Sequence, residues 1–234
     1  LVKPIPSGIY LVNKKLRHDL IHNTIREHAS NLGGLIADEL ASSLRDAKAY
    51  IIDPIVVDEF EELARVSGHP LFKRISIFHA LNQKAVARAH AKSILKKYED
   101  LNLIVAHLGG GISIGAHKKG RVIDANQGLD GDGPFSPERS GTLPMGDFAR
   151  LCFKGKYTLD QVLKMIAGEG GMVAYMGTNS AYEVELKMIK GDKEAGLICE
   201  AMAYQVAKEV GAMSTVLKCE VDAILITGGI AHSK

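Results

Sequence analysis

Residues 23–44 carry Leu32, Leu35, Ile36, Leu40 and Leu44 at three- and four-residue intervals, the spacing that lines apolar side chains along one face of an α-helix. Tyr50-Ile51-Ile52 then reads as a short buried strand, stopped at Asp53-Pro54. Ala87, Ala91, Ile94, Leu95 and Tyr98 form a second stripe and predict a helix from about Asn82 to Tyr98. Beyond it the period changes. Leu103 to Leu108, Ile112 to Ala116 and Arg121 to Asp124 read as strands separated by turns at Gly109-Gly110-Gly111 and Lys118-Lys119-Gly120, an antiparallel meander. Polar residues announce the helices that follow. Thr158 with Gln161 and Ser180 with Glu183 have capping-box spacing, and Gly168 and Gly191 stand where such helices stop. A long helix from about Lys193 to Leu217 is expected to bury Ile198, Met202, Val206, Val210, Met213 and Leu217, which makes its methionines core residues. A buried strand over Val221 to Ile226 runs into Thr227-Gly228-Gly229-Ile230.

Composition narrows the class. The 234 residues are 46% hydrophobic and 24% charged, close to an ordinary globular protein with enough chain for one large domain or two modest ones. The 29 basic and 27 acidic side chains are interspersed, so nucleic acid is not an expected partner. Cys152, Cys199 and Cys219 are far apart and odd in number, which fits neither a disulfide framework nor a zinc spacing. No apolar run approaches the ~20 residues that span a bilayer, and there is no signal pattern at Leu1, so a cytoplasmic protein without a membrane partner is expected.

Few residues declare chemistry by themselves. Asp53, at the C-terminal end of a strand, either faces a ligand crevice of an open α/β sheet or simply begins the turn before Pro54. Gly109, Gly110 and Gly111 either cradle phosphate oxygens with uncovered N–H groups or form an ordinary hairpin. Gly228 and Gly229 end a strand, where backbone without side chains lets a flat ligand lie against the chain. His79, behind Phe78 in an apolar stretch, reads as a core histidine, and Arg139, among Glu138, Asp130 and Asp132, as a loop salt bridge. Residue type alone assigns neither a role. His18, His22, His69, His90, His117 and His232 fit no metal spacing, and no metal ligand is expected from the chain.

The order of motifs adds more. Glu27-His28-Ala29-Ser30-Asn31, Ile52-Asp53-Pro54, Ile77-Phe78-His79-Ala80-Leu81-Asn82-Gln83, Ala106-His107-Leu108-Gly109-Gly110-Gly111, Phe135-Ser136-Pro137-Glu138-Arg139-Ser140-Gly141 and Thr227-Gly228-Gly229-Ile230 resemble, in sequence order, the acetate and butyrate kinase family of the actin-like superfamily. The resemblance covers essentially the whole chain and leans to the butyrate kinase branch, since acetate kinases typically have Asn where Gly110 stands.

The resemblance implies an α/β, actin-like (ribonuclease H-like) two-domain kinase fold: residues 1–60 as the later part of a first domain and 61–234 as most of a second, nucleotide-binding one. It implies reversible phosphoryl transfer from ATP, with Mg²⁺ on the nucleotide, to a small carboxylic acid such as butyrate, in a protein that is a homo-oligomer when complete. Arg139 and His79 then match the transition-state Arg and His, and Asp53 an acidic residue that positions the carboxylate or a metal-bound water. His28 matches a His near the acyl phosphate, with Phe78 and Pro137 as acyl-pocket walls. His107, Gly109, Gly110 and Gly111 match the phosphate hairpin, and Gly228, Gly229 and Ile230 the adenosine loop. Family members carry a Ser/Gly-rich phosphate loop and another Arg before this region and a metal-linked Glu after it. This chain, opening at Leu1 without Met, is therefore expected to lack sequence at both ends and to be inactive alone. Other classes remain in view: a sugar kinase, which needs an Asp base facing a hydroxyl, or a nucleotide-binding protein without catalysis.

Overall fold

A computed structural model describes residues 3–22 and 29–233. The elements in chain order are β1 (Ile9–Leu11), α1 (Lys14–His22), α2 (Ala29–Ser42), β2 (Tyr50–Ile52), α3 (Glu62–Arg65) and α4 (Ala80–Ser93). A 3₁₀ turn (Tyr98–Asp100) leads to β3 (Asn102–Leu108), β4 (Ile112–Lys118) and β5 (Arg121–Ala125). The helices α5 (Met145–Cys152), α6 (Leu159–Ile166), α7 (Met172–Met176), α8 (Ala181–Ile189) and α9 (Lys193–Val216) follow, then β6 (Ala223–Thr227). Among the described residues no helix is long and apolar enough to cross a membrane.

The larger sheet has the order β5-β4-β3-β6. The meander expected from the glycine turns forms β3, β4 and β5, and β6 joins β3 in parallel, with His107 opposite Thr227. Helices cover both faces. On one, α9 places Ile198, Met202, Met213 and Leu217 against Ile104, Ala106, Ile112, Ile114 and Ala116; on the other, Ala87 and Ala91 of α4 pack on Leu103 and Val105. Alternate residues of β3 thus feed two cores, which is why the strand reads as a continuous apolar run.

Both predicted caps form. Thr158 and Gln161 make the reciprocal pair at the start of α6. Ser180 accepts from the Glu183 amide, but the Glu183 carboxylate accepts from Thr178 Oγ1.

Several expectations need correction. The helix predicted over 23–44 is described only as Ala29–Ser42, and its Leu32, Ile36 and Leu40 are exposed. The inward position is Gly34, where a Cβ would strike Ile51 and Leu20, so close backbone approach and not the leucine stripe seats this helix. Tyr50-Ile51-Ile52 is a strand, but in a two-stranded sheet with β1 it buries neither Tyr50 nor Ile52. The helix predicted to reach Tyr98 stops at Ser93 because Leu95 takes a left-handed conformation (φ 55°), which throws its side chain outward at 95% exposure. At the sheet edge, β6 is only half buried: Ile224 and Ile226 are 52% and 60% exposed. The sequence reading also missed β1, α1, α3, α5 and α7. Of these, α1 offers only Leu16, Leu20 and Ile21 among charged residues.

Residues 55–60 leave the small sheet and pack on the large one. Val57 and Phe60 join Phe78, Ala80, Val122 and Ala125 in one cluster, and the buried Lys84 ammonium donates to Glu59 Oε2 at 2.7 Å. Glu59 in turn accepts from the Val122 amide, so this segment covers the free edge of β5.

Candidate active site

Three segments converge at the ends of β3 and β6. The first is the glycine turn. Leu108 and Ile112 are paired across it, and the Gly109 amide donates to Gly111 O. The second is the 135–141 loop, pinned to this turn by Ser136 Oγ and the Glu138 amide, both of which donate to Gly110 O. The third is the start of α4, where His79 is the N-cap.

Two histidines stack at this junction, with ring centroids 3.9 Å apart and planes inclined by 17°. His79 comes from α4 and bonds Ser113 Oγ through Nδ1 at 2.8 Å, and His107 comes from β3 and bonds Asn82 Oδ1 through Nδ1 at 2.8 Å. His79 is therefore not a bystander in the core: it is half-buried and oriented by two hydrogen bonds with one serine, since its amide also donates to Ser113 Oγ. Burial holds the His107 imidazole below its ordinary pKa and so favours the neutral ring. The His107 ring lies against Gly109, where a Cβ would sit 2.9 Å from Nε2.

On the other side of the turn, the Arg139 guanidinium occupies the space that a side chain at position 111 would take. Its Nη1 donates to Gly128 O and not to the acids expected of a loop salt bridge. Burial lowers the Arg139 pKa, the nearby Glu138 charge opposes that, and the Glu138 carboxylate itself accepts from Asn179 at 2.6 Å. The loop that presents Arg139 is fixed by Gly171, whose positive φ and missing Cβ let it pass against Ser136 O and Arg139 O.

The second glycine pair joins the first. Gly228 (φ 96°) sits on the Leu108 backbone so closely that a Cβ would strike its carbonyl and amide. Gly109, Gly110, Pro137, Asn179, Gly229 and Ile230 together line a cavity of about 420 Å³.

Other expected residues lie elsewhere. Asp53 lines a different, apolar cavity of about 290 Å³ with Leu20, Ile51 and Leu81, and at 1% exposure it accepts from Ser7 Oγ (2.5 Å), the Gly8 amide (2.9 Å) and Arg88 (2.7 Å). Burial pushes its pKa up, but the bonds from Ser7 and Arg88 outweigh this and hold it below the ordinary value. Its positive φ (38°) is a strained conformation of the kind that collects at functional positions. Phe78 is buried with Val57 and Val122 and does not line the glycine cavity as Pro137 does. His28 lies outside the described residues.

Sequence reading gave no role to Asn82, Gln83, Ser113 or Arg88. The signal was present for two of them: Asn82 and Gln83 stand three and four residues after His79, on the same side of the helix.

Comparisons with known proteins bear on the family and the fold of the chain. Residues 71–233 match the Acetokinase family. The chain belongs to the acetokinase family. It is 57% identical to butyrate kinase 2 and 58% identical to butyrate kinase 1 of Clostridium acetobutylicum over all 234 residues, and spans 65% and 66% of their lengths. Among solved structures it is similar to an acetate kinase of Porphyromonas gingivalis (TM-score 0.80, 21% identity, 96% of this chain and 59% of that one). It is also similar to a propionate kinase of Francisella tularensis subsp. tularensis (TM-score 0.78, 24% identity, 96% and 60%). The acetokinase chain thus has the α/β, actin-like fold over the part of those proteins that it covers.

Proposed function

We propose that this chain carries the nucleotide side of a kinase site that transfers the γ-phosphoryl group of ATP to the carboxylate of a short-chain fatty acid, giving an acyl phosphate and ADP. The observation that carries the reading is the meeting of both glycine turns at one cavity, with the His79–His107 stack and Arg139 on either side of the hairpin. The high identity to two butyrate kinases supports the choice of acid.

In the forward reaction a carboxylate oxygen forms a bond to Pγ while the bond from Pγ to the β,γ-bridging oxygen breaks, and ADP keeps that oxygen. No covalent help from the protein is needed. What the site supplies is charge stabilisation of a spread-out phosphoryl group. Arg139 offers a planar pair of N–H groups, His79 a ring N–H, and the turn its uncovered backbone amides.

Backbone lining without side chains at Gly109, Gly110 and Gly229 fits a nucleotide, and no Cβ contact closes the space at Gly229. Mg²⁺, when bound, would neutralise the β- and γ-phosphates. It would be held chiefly by the nucleotide, because among the described residues no group of three or more His, Cys, Asp or Glu is arranged to bind a metal. Asp53 already accepts from Ser7, Gly8 and Arg88, so a role toward the carboxylate or a metal-bound water would share it with these donors. As placed it ties the small sheet to α4. We place the domain division nearer Pro54 than residue 60, since Val57 and Phe60 belong to the second core.

The test is incubation of the intact protein with ATP, butyrate and hydroxylamine. Butyryl hydroxamate is the expected product, with kcat/KM for four- and five-carbon acids above that for acetate. ATP-dependent phosphorylation of a hydroxyl substrate without hydroxamate formation would replace this reading with a sugar-kinase one.

A further inference from the structure

Behind His79 runs a line of buried polar groups that phosphoryl transfer does not by itself require. Gln83, fully buried on α4, has its Nε2 2.9 Å from both the carbonyl oxygen and the Oγ of Ser113, and its Oε1 3.0 Å from His117 Nε2. His117 Nδ1 lies 2.6 Å from the Tyr98 hydroxyl. Ser113 Oγ is 2.8 Å from His79 Nδ1 and 3.2 Å from the His79 amide.

One backbone carbonyl fixes every proton in this line. Ser113 O can only accept, so the Gln83 atom facing it is the amide nitrogen, and Oε1 faces His117. Oε1 can only accept, so His117 carries its proton on Nε2. The fully buried ring is neutral: burial, helped by the Lys84 and Arg88 charges, pushes its pKa down to about 3. Its Nδ1 is therefore bare and accepts from Tyr98. At the other end, Ser113 Oγ accepts from Gln83 and from the His79 amide, which uses both lone pairs. Its own proton is left for its remaining neighbour, His79 Nδ1, which must accept it.

We propose that Ser113 and Gln83, anchored by His117 and Tyr98, are positioning residues that hold His79 in the tautomer with its proton on Nε2. The donor edge of the ring is thereby turned away from Ser113, and the ring never presents a lone pair there to a developing phosphoryl oxyanion. The opposite tautomer would exchange an attractive contact for a repulsive one. This rests on the reading of His79 as a donor to the transferring phosphoryl group.

The experiment is a two-bond ¹H–¹⁵N correlation of the histidine rings in the ¹⁵N-labelled intact protein, with the His79 signals identified by their loss in His79→Asn. The expected wild-type pattern is a protonated Nε2 and a bare Nδ1, and a protonated Nδ1 overturns the proposal without any positioning variant having to fold. Ser113→Ala should mix the tautomers and lower kcat roughly 10–100-fold, less than or equal to the loss of one preorganised donor, while KM for nucleotide and acid stays put. An Nε2-protonated His79 in folded Ser113→Ala, or unchanged kcat, also overturns it. An active protein whose His79 is protonated on Nδ1 sinks the relay and leaves the kinase reading intact. A protein with the expected tautomer that forms no acyl phosphate sinks the kinase reading instead.

Discussion

Replacing Gly111 by alanine should disable Arg139 without unfolding anything. The added Cβ would stand 2.7 Å from Arg139 Cζ and 3.3 Å from Nη2, with Nη1 closer still. Non-bonded heavy atoms settle at about 3.5 Å or more, so the guanidinium, with Nη1 the nearest atom, must retreat by roughly 1.5 Å. Gly111 is not among the glycines with positive φ, so its backbone accepts alanine without strain, and a guanidinium is the mobile end of a long side chain. The cost should therefore fall on geometry and not on stability. A displacement of 1 Å or more at a transition-state donor is worth at least about 10²-fold in rate, or about 2.7 kcal/mol in the barrier. The assay is hydroxamate formation by the intact protein, with Tm measured beside it. Gly111→Ala should lower kcat at least about 10²-fold with nearly unchanged Tm, and the double variant Gly111→Ala/Arg139→Ala should be no slower than Arg139→Ala alone. If the two losses multiply, the methyl acts by blocking phosphate and not by moving Arg139. If Gly111→Ala keeps full kcat, the packing argument is wrong.

Arg139→Ala and Arg139→Lys should each lower kcat by roughly 10²–10⁴ with little change in nucleotide KM, because an ammonium cannot bridge two equatorial oxygens; near-normal turnover by Arg139→Lys would make the residue structural. Stability should fall as pH drops from 6.5 toward 3, by up to about 1.4 kcal/mol per pH unit from His117 alone. The sign follows from a folded pKa below the unfolded one: in that window the unfolded chain binds a proton that folded His117 refuses. Urea unfolding across this range should show the slope, flatter in His117→Gln, and equal slopes would refute the assignment. Thr158→Ala should cost about 1 kcal/mol in the same assay by removing the bond that the Gln161 amide donates to Thr158 Oγ1 at the start of α6.

How far the sequence could be read depended on how local each signal was. The Thr158–Gln161 cap and the Gly109–Gly111 hairpin need only a few neighbouring residues, and both stand as expected. Burial was read less well, because periodicity shows which positions share a face but not what covers it. The apolar stripe along α2 is exposed at Leu32, Ile36 and Leu40, and Ile224 and Ile226 of β6 border a cavity shared with α9 and are only half covered. The site followed the same rule. His107 and the glycines announce themselves within one segment, whereas the contact of Arg139 with Gly111 joins residues 28 apart in the chain, and Ser113 reaches His79 across 34. The Asp53 partners Ser7 and Arg88 come from opposite ends of the described first half, and no spacing rule connects them.

The seating of Gly228 on the Leu108 backbone has a mechanical consequence. The parallel ladder from Leu103–Ala223 to His107–Thr227 ends where the two turns touch, so the hairpin and the Gly228-Gly229 turn are one stiff lip and not two independent flaps. Thermal motion that lifts one must carry the other, and under the proposed function the sheet would set the spacing between base and phosphates before any nucleotide arrives. Any side chain at position 228 would pry that lip apart at its root and loosen both grips together.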